Sequence, residues 1–330
     1  MERMRAALER AAARLAQASA QFGRPMALDM DTFLSRDAPG GLGVPGQVSA
    51  NGHCRMVRTA DGWLAVNLAR EDDRGAVPAW LECAIEGEIW SIIEAVAMTR
   101  GTDDLLERAI LLHLPVAQWG EAEPVAMPPA ARCGTCPNPA AHHVLDLSAL
   151  WAGPACGGLL ADLGMAVTKF ESAARADPTP RASPRLDARL NGRKRRVVAE
   201  PDAQAVKDAL AQASILITSG RPHALARMGL EPEAVFSLHP HLIWVAITAH
   251  GWTGDAGLRV GFGDDCAVAG GLVRQETSAP LFMGDALADP LTGLLAATRA
   301  MEMVAAGQTG LLDMPLAGCA GWFAQDAGLR

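Results

Sequence analysis

Residues 144 to 172 read VLDLSALWAGPACGGLLADLGMAVTKFES. VLDL is a short apolar strand, AGPACGG is a run of small residues with the character of a loop, LLADLG continues as a helix, and AVTKF is a second strand ending at Glu171. Strand, helix and strand in that order open a parallel sheet, and a first loop built from small residues lets a ligand approach the backbone. Nucleotide-handling α/β domains begin in this way. Here the unit starts only at residue 144, and so late a start needs an explanation.

Downstream the alternation continues. Residues 203 to 212 read as a helix, SILIT at 214 to 218 as a strand and 223 to 230 as a short helix. HPHLIWVAITA at 239 to 249 is the clearest strand in the chain, continuously apolar from Leu242 to Thr248. Short strands alternating with helices predict an α/β fold, a Rossmann-like and mostly parallel sheet with helices on both faces, with ligands gathering at the strand ends near Thr218 and Thr248. Beyond them, residues 251 to 273 form a glycine-rich loop entering an Ala/Gly helix, and residues 281 to 310 a second loop and helix. Asp285 and Asp289 open that second helix, where first-turn amides stabilise anions and keep a carboxyl pKa from climbing far. An acid there is most often a cap; two acids among small residues are also candidates for a site. Residues 173 to 196 read as an exposed polar connection ending in Arg193, Lys194, Arg195 and Arg196, which is either a solvated surface or an anion pocket at a strand's start.

Upstream the pattern differs. Residues 3 to 19 form an amphipathic helix with Met4, Leu8, Ala11, Leu15 and Ala18 near one face, suited to docking on the body of the protein or to binding a partner. Residues 36 to 52 are a loop, in which Gly40, Gly41 and Gly43 suit a surface linker, a lid or an anion-cradling turn. A hairpin follows at 54 to 68, turning at Ala60-Asp61-Gly62, then helices at 86 to 99 and 102 to 113. The proline- and alanine-rich stretch from 121 to 140 marks a boundary. Its Cys133 and Cys136 have the spacing of half a zinc or redox site, which His142 and His143 could complete; with no second CxxC, a loop holding two thiols is the favoured reading and no metal is assigned.

The bulk properties narrow the class. With 330 residues, half of them hydrophobic, the chain can bury a large core, and a net charge of −8 argues against a nucleic-acid coat or an anionic membrane surface. The N-terminus lacks the apolar core of an export signal, no stretch reaches the length of a membrane span, and seven scattered cysteines suit reduced thiols, so the expected location is cytoplasmic.

At residues 144 to 172 the chain resembles the opening of the family III CoA-transferases, the group containing formyl-CoA transferase, carnitine CoA-transferase and 2-methylacyl-CoA racemase. Four further blocks follow in that family's order: LNGRKRR at 190 to 196, ASILITSGRP at 213 to 222, HPHLIWVAITAHGWTGDAG at 239 to 257, and MGDALADPLTGLLAATRAMEMVAAGQTGLLDMPLAG at 283 to 318. The resemblance implies transfer of CoA from an acyl-CoA thioester to a carboxylic acid through an aspartyl-CoA intermediate. CoA thioester is then a substrate, with no permanently bound cofactor. The matching nucleophile is Asp289, four residues before Gly293. Ala152, Gly153, Pro154 and Ala155 match the turn beside CoA, Arg193, Lys194 and Arg195 match a segment near its adenine and phosphates, and Arg221 matches an arginine-proline element. Where the racemases carry a histidine base this chain has Phe262, which cannot move a proton, so transfer ranks above racemisation. A CoA-ester binder with altered chemistry and a non-catalytic subunit are the remaining alternatives.

In the family the β-α-β unit comes first and a long second half follows the element matched by Asp313 to Leu316. Residues 24 to 124 resemble that second half, including a lid loop at Gly40 and Gly41, whose amides are candidates for stabilising an oxyanion. The resemblance therefore implies a circular permutation, with a shortened member or one half of a two-chain enzyme as the alternatives: an N-terminal helix at 1–23, family C-terminal material with a smaller α+β domain at 24–124, a linker at 125–140, a CoA-binding core at 141–258, and active-site helices with a return segment at 259–330. It also implies a homodimer, possibly interlocked, with no nucleic acid or membrane as partner.

Overall fold

The computed structural model describes the chain except residues 38–41, 85, 129–136, 201–203 and 278. Gly40, Gly41, Cys133 and Cys136 therefore lie outside the described residues. Two bodies of structure stand in the order read from the sequence. The first is a small α+β unit. Its strands β1 (Cys54–Arg58), β2 (Trp63–Asn67) and β3 (Val116–Gln118) form an antiparallel sheet in the order β1-β2-β3. Helices Glu71–Leu81, Ile89–Ala97 and Thr102–Leu111 bury Trp80, Ile93 and Leu105 against it.

The second body is the sheet that the 144–172 stretch opens. Its strands are β4 (His143–Asp146), β5 (Ala166–Glu171), β6 (Arg195–Val198), β7 (Ile215–Thr218), β8 (Ile243–Thr248) and, after the short antiparallel pair β9 (Val273–Gln275) and β10 (Pro280–Phe282), β11 (Gly310–Pro315). Among the described residues these six pair in parallel in the order β11-β8-β7-β4-β5-β6, the doubly wound Rossmann order with its reversal between β4 and β7. The alternation of side chains along each strand explains the two covered faces. Ile215, Ile217, Ile243, Val245 and Ile247 face one core, while Leu216, Trp244 and Ala246 face the other. Helix Ala152–Leu163 and helix Ala288–Ala305 belong to the first core; Val206 and Leu210 of helix Gln204–Gln212 belong to the second.

Three readings change. AGPACGG is not a loop, because the helix already begins at Ala152 and its small residues serve packing. A Cβ on Gly157 would lie 2.9 Å from Asp146 Oδ2, and one on Gly293 of the facing helix would lie 2.6 Å from Ala155 Cβ, so the two helices and the strand end approach at backbone distance. Residues 173 to 196 are not simply an exposed connection: helix Pro184–Asn191 buries Leu186 and Leu190. The sheet also outruns the 141–258 core, since β11 from the return segment supplies its edge strand beside β8.

Helix Ala288–Ala305 is buried nearly all round. The N-terminal helix Glu2–Ala20 closes over it with Met4, Leu8, Ala11 and Leu15, and Arg14 reaches the buried Glu302 at 2.8 Å, so that helix docks on the body of the protein. At the end of β4 a buried network holds the chain. Lys194 Nζ donates to Asp146 Oδ2 at 2.7 Å and to the Pro154 carbonyl at 2.8 Å, Asp146 Oδ1 accepts the Ser148 amide at 3.0 Å, and Lys169 Nζ donates to the Ser148 carbonyl at 2.5 Å. Burial alone would raise the Asp146 pKa, but Lys194 and Lys169 outweigh it and hold the carboxyl at about 2. Removing one partner leaves a buried charge uncompensated. Lys194→Ala should cost about 3–5 kcal/mol in urea denaturation, and pairing Lys194→Met with Asp146→Leu should recover most of that loss.

Candidate active site

Parallel sheets of this order bind ligands outside the carboxyl ends of their strands at the reversal. A cleft of about 450 Å³ lies there. Ala149 and Leu150 after β4, Ser219, Gly220 and Arg221 after β7, and Thr248 and Ala249 at the end of β8 form its walls, and Asp289 reaches it from the start of helix Ala288–Ala305. Leu150, with φ of 67°, holds a left-handed conformation that a leucine adopts only when its surroundings impose it. The Ala149 amide bonds Ser219 Oγ at 3.0 Å and the Leu150 amide bonds Asp177 at 3.0 Å, which supplies that constraint.

Cations converge on the mouth. Arg70, Arg175, Arg221 and Arg227 all line the cleft. The Arg221 guanidinium is pushed below its ordinary pKa by desolvation and then by Arg70, Arg175 and Arg227, and its Nη1 has no hydrogen-bond partner among the described residues. Arg70 is tied to Asp73 and Arg259 to Glu121, at 2.7 Å in the latter case. Arg175, Arg221 and Arg227 have no acid partner among the described residues, which leaves a local positive excess at the mouth that favours an anion. Helix dipoles or backbone turns need not be invoked.

Acids gather at the other end. Asp289 is half-buried where it meets the cleft, and desolvation pushes its carboxyl up to about 7, with Arg36 opposing and Asp264 and Asp285 adding to the rise. The expectation that first-turn amides would keep this pKa low is therefore corrected. Desolvation wins, and the amide that helps the ionised form comes from Gly263 of the neighbouring helix Gly263–Ala269. Only glycine fits there, since a Cβ would fall 2.5 Å from Asp289 Oδ2. Asp285 is no part of the helix opening: it accepts both Arg36 Nε and Nη2, at 2.7 and 2.9 Å, while the Arg36 guanidinium stacks 4.9 Å over the Trp151 ring. Burial raises Asp264 to about 6 and Asp265 to about 8; Asp264 accepts from Asn51 and the Ala286 amide, Asp265 from Asn67 and the Phe262 amide, each at 2.9 to 3.1 Å.

The residues singled out in the sequence divide accordingly. Ala152, Gly153, Arg221 and Asp289 meet in one cleft. Pro154 and Ala155 do not line it: the Pro154 carbonyl accepts Lys194, and Ala155 packs on Gly293. Lys194 is withdrawn into its ion pair with Asp146, Arg193 is exposed and paired with Asp162, and Arg195 faces a separate hollow beside β5 and β6. None of these three cations lines the cleft. Arg36, Arg70, Arg175 and Arg227 were missed, and spacing carried no signal for them, because two come from before the sheet and two from its connections.

The fold thus joins a doubly wound sheet, an arginine-lined cleft at its reversal and a carboxyl at the cleft's inner end. The sequence pattern of CoA-transferase family III matches residues 141–314, more than half of the chain, and the chain belongs to that family. It is 30% identical over 190 residues to succinyl-CoA–D-citramalate CoA-transferase of Chloroflexus aurantiacus, covering 52% of this chain and 47% of that one. It is 29% identical over 167 residues to succinyl-CoA:glutarate CoA-transferase of Homo sapiens, covering 46% and 38%. The chain thus spans less than half the length of these curated relatives. A crystal structure of a hypothetical protein from Mycobacterium tuberculosis shares the fold, with a TM-score of 0.51 at 23% identity over 61% of this chain and 58% of that one. Among the described residues no helix is long and apolar enough to cross a membrane.

The raised Asp289 pKa has a measurable consequence for stability. Its folded value of about 7 exceeds the ordinary 3.8, so below about pH 4 both states hold the proton and nothing is lost. As pH rises from 4 to 7 the unfolded state ionises first, and stability falls until the folded carboxyl ionises too. Asp289→Asn should therefore raise the melting temperature at pH 8, by an amount corresponding to roughly 2 to 4 kcal/mol, and leave it unchanged near pH 4.

Proposed function

We propose that this chain transfers coenzyme A between an acyl-CoA thioester and a carboxylic acid, with Asp289 as the nucleophile that carries CoA covalently. The observation that carries the reading is the position of the Asp289 carboxyl at the inner end of the arginine-lined cleft at the sheet's reversal. The relatives' names describe CoA transfer between succinyl-CoA and an organic acid, and that reaction class is carried to this chain as a proposal.

In this reading Arg70, Arg175, Arg221 and Arg227 hold the phosphates of CoA, and Ala152 and Gly153 leave room for the arm that leads inward. The Asp289 carboxylate attacks the thioester carbonyl, forming a mixed anhydride and releasing CoA thiolate. The thiolate attacks the aspartyl carbonyl, giving aspartyl-CoA and the free donor acid. An acceptor carboxylate then displaces CoA to form a second anhydride. Finally the thiolate attacks its acyl carbonyl, yielding the new thioester and regenerating the Asp289 carboxylate. Gly40 and Gly41 are proposed as amide donors to the oxyanions, as the lid resemblance implies. A carboxylate drawn out of water is poorly solvated and correspondingly reactive, and its cost is met by Arg36 and the Gly263 amide. Racemisation is disfavoured because Phe262 stands at the matched base position with Arg70 over its ring at 5.6 Å.

The proposed assembly is a homodimer, interlocked or not, in the cytoplasm; buried free thiols at Cys54, Cys156, Cys266 and Cys319 suit a reducing compartment. Circular permutation is the proposed origin of the chain order. The resemblance of residues 24 to 124 to the family's second half supports it.

Incubation with acyl-CoA followed by hydroxylamine should leave a hydroxamate on Asp289, read by peptide mass spectrometry; an unmodified Asp289 across a broad thioester panel would sink the reading. Asp289→Asn should lower kcat at least about a thousandfold. Because the nucleophile must be ionised, kcat/KM should rise with pH through about 7 and level above it. Light scattering should return twice the chain mass.

A further inference from the structure

Three side chains with metal-binding atoms meet beside the wall of the arginine cleft. A ring nitrogen of His250, a carboxylate oxygen of Asp265 and the Sγ of Cys266 all lie within 4.8 Å of one another. His250 follows the end of β8, whereas Asp265 and Cys266 stand in the first turn of helix Gly263–Ala269, so the fold brings two separate segments together here. Asp265 Oδ2 is 3.8 Å from Cys266 Sγ. Around one tetrahedral ion with bonds of about 2.0 to 2.3 Å the ligand atoms stand about 3.3 to 3.7 Å apart, so the cluster has to contract by only about 1 Å at its widest.

Each of the three has capacity to spare. His250 Nε2 is buried with no hydrogen-bond partner among the described residues, which costs free energy until something satisfies it. Asp265 is oriented from one side: its Oδ1 accepts Asn67 Nδ2 at 2.9 Å and the Phe262 amide at 3.1 Å, and Oδ2 takes only the longer contact to that amide, at 3.2 Å. Outer hydrogen bonds of this kind position the carboxylates that bind metals. Cys266 Sγ makes only long contacts, 3.6 Å to the Ala249 carbonyl and 3.8 Å to Asp265. Gly261, in the cleft wall, leaves the space open: a Cβ there would fall 2.6 Å from Cys266 Sγ and 2.9 Å from Asp265 Oδ2.

One imidazole, one carboxylate and one thiol form a donor set suited to zinc. Magnesium and calcium favour oxygen throughout, and iron–sulfur clusters need several thiolates. We infer that His250 Nε2, Asp265 Oδ2 and Cys266 Sγ bind one zinc ion, with water in the fourth position, and that the ion clasps the loop after β8 to the start of helix Gly263–Ala269. The ion enters from the cleft past Gly261, and the thiol proton leaves to solvent as the sulfur coordinates. Asn67 extends the clasp to β2 of the small unit. The site stands independently of the transfer reading.

The test uses the full chain carrying Cys133→Ser and Cys136→Ser, so that the thiols of the 121 to 140 stretch supply no ligand. After chelation, addition of zinc chloride and dialysis, elemental analysis should return one zinc per chain, and X-ray absorption at the zinc edge should show one sulfur and three nitrogen or oxygen neighbours. Cobalt chloride in place of zinc should give the charge-transfer band of a single thiolate. Cys266→Ala and His250→Phe should each weaken zinc binding at least about a hundredfold, and Asn67→Leu about tenfold or more, with metal-free melting curves confirming that the variants fold. No retained zinc, an ion with no sulfur or with more than one, or an affinity unchanged by Cys266→Ala overturns the inference. Should that variant fail to fold, the sulfur count on the chain with all three ligands intact decides.

Discussion

Withdrawing the Asp289 carboxyl from water is the constraint around which this structure is arranged. Desolvation favours the protonated acid, and neighbouring carboxyls push the same way, yet the role proposed for this carboxyl requires it to ionise near neutral pH. Arg36 and the Gly263 amide bring the balance to about 7. Arg36 can do so only because Asp285 fixes its guanidinium and Trp151 supports it from below. Gly263 can do so only because it has no side chain to displace the carboxylate.

The scaffold answers the same constraint from a distance. Helix Ala288–Ala305 presents Asp289 with a fixed direction because it is packed on nearly every side, between helix Ala152–Leu163 and the N-terminal helix. That density depends on glycine and alanine at facing positions, Gly293 against Ala155, where any larger residue would separate the helices. The Asp146–Lys194 pair anchors the end of β4 from beneath, and the loop it supports carries Leu150 into the arginine cleft and into a second chamber that also meets Asp289. Stability and site geometry thus share the same residues, which is why the site's cost in buried charge is tolerated.

Charge is distributed along the path a thioester would follow. Arginines stand at the outer mouth, the Asp289 carboxyl at the junction, and a chamber with much apolar wall beyond it. In the proposed reaction the mouth takes the phosphates and the junction the reacting carbonyl. The chain's net charge of −8 reveals none of this, because the arginines at the mouth are a local excess within an acidic whole.

The sequence by itself determined the sheet. Continuous apolar runs at Ile215–Thr218 and Ile243–Thr248 can be stable only as strands covered on both faces, and that preference is local enough to be read directly. The ordered family blocks likewise pointed to Asp289 before any geometry was known. Local reading failed where small residues carry no periodic signal: AGPACGG looks like a loop in isolation and is a helix because it packs against Gly293 and the end of β4. It failed again for charge. Lys194 stands in a run of four cations and Arg70 beside a run of acids, yet Asp146 takes the first into the core and the fold carries the second to the cleft beside Arg221. Burial and the company a charge keeps are set by residues far away in the chain, and only the tertiary structure brings those residues together.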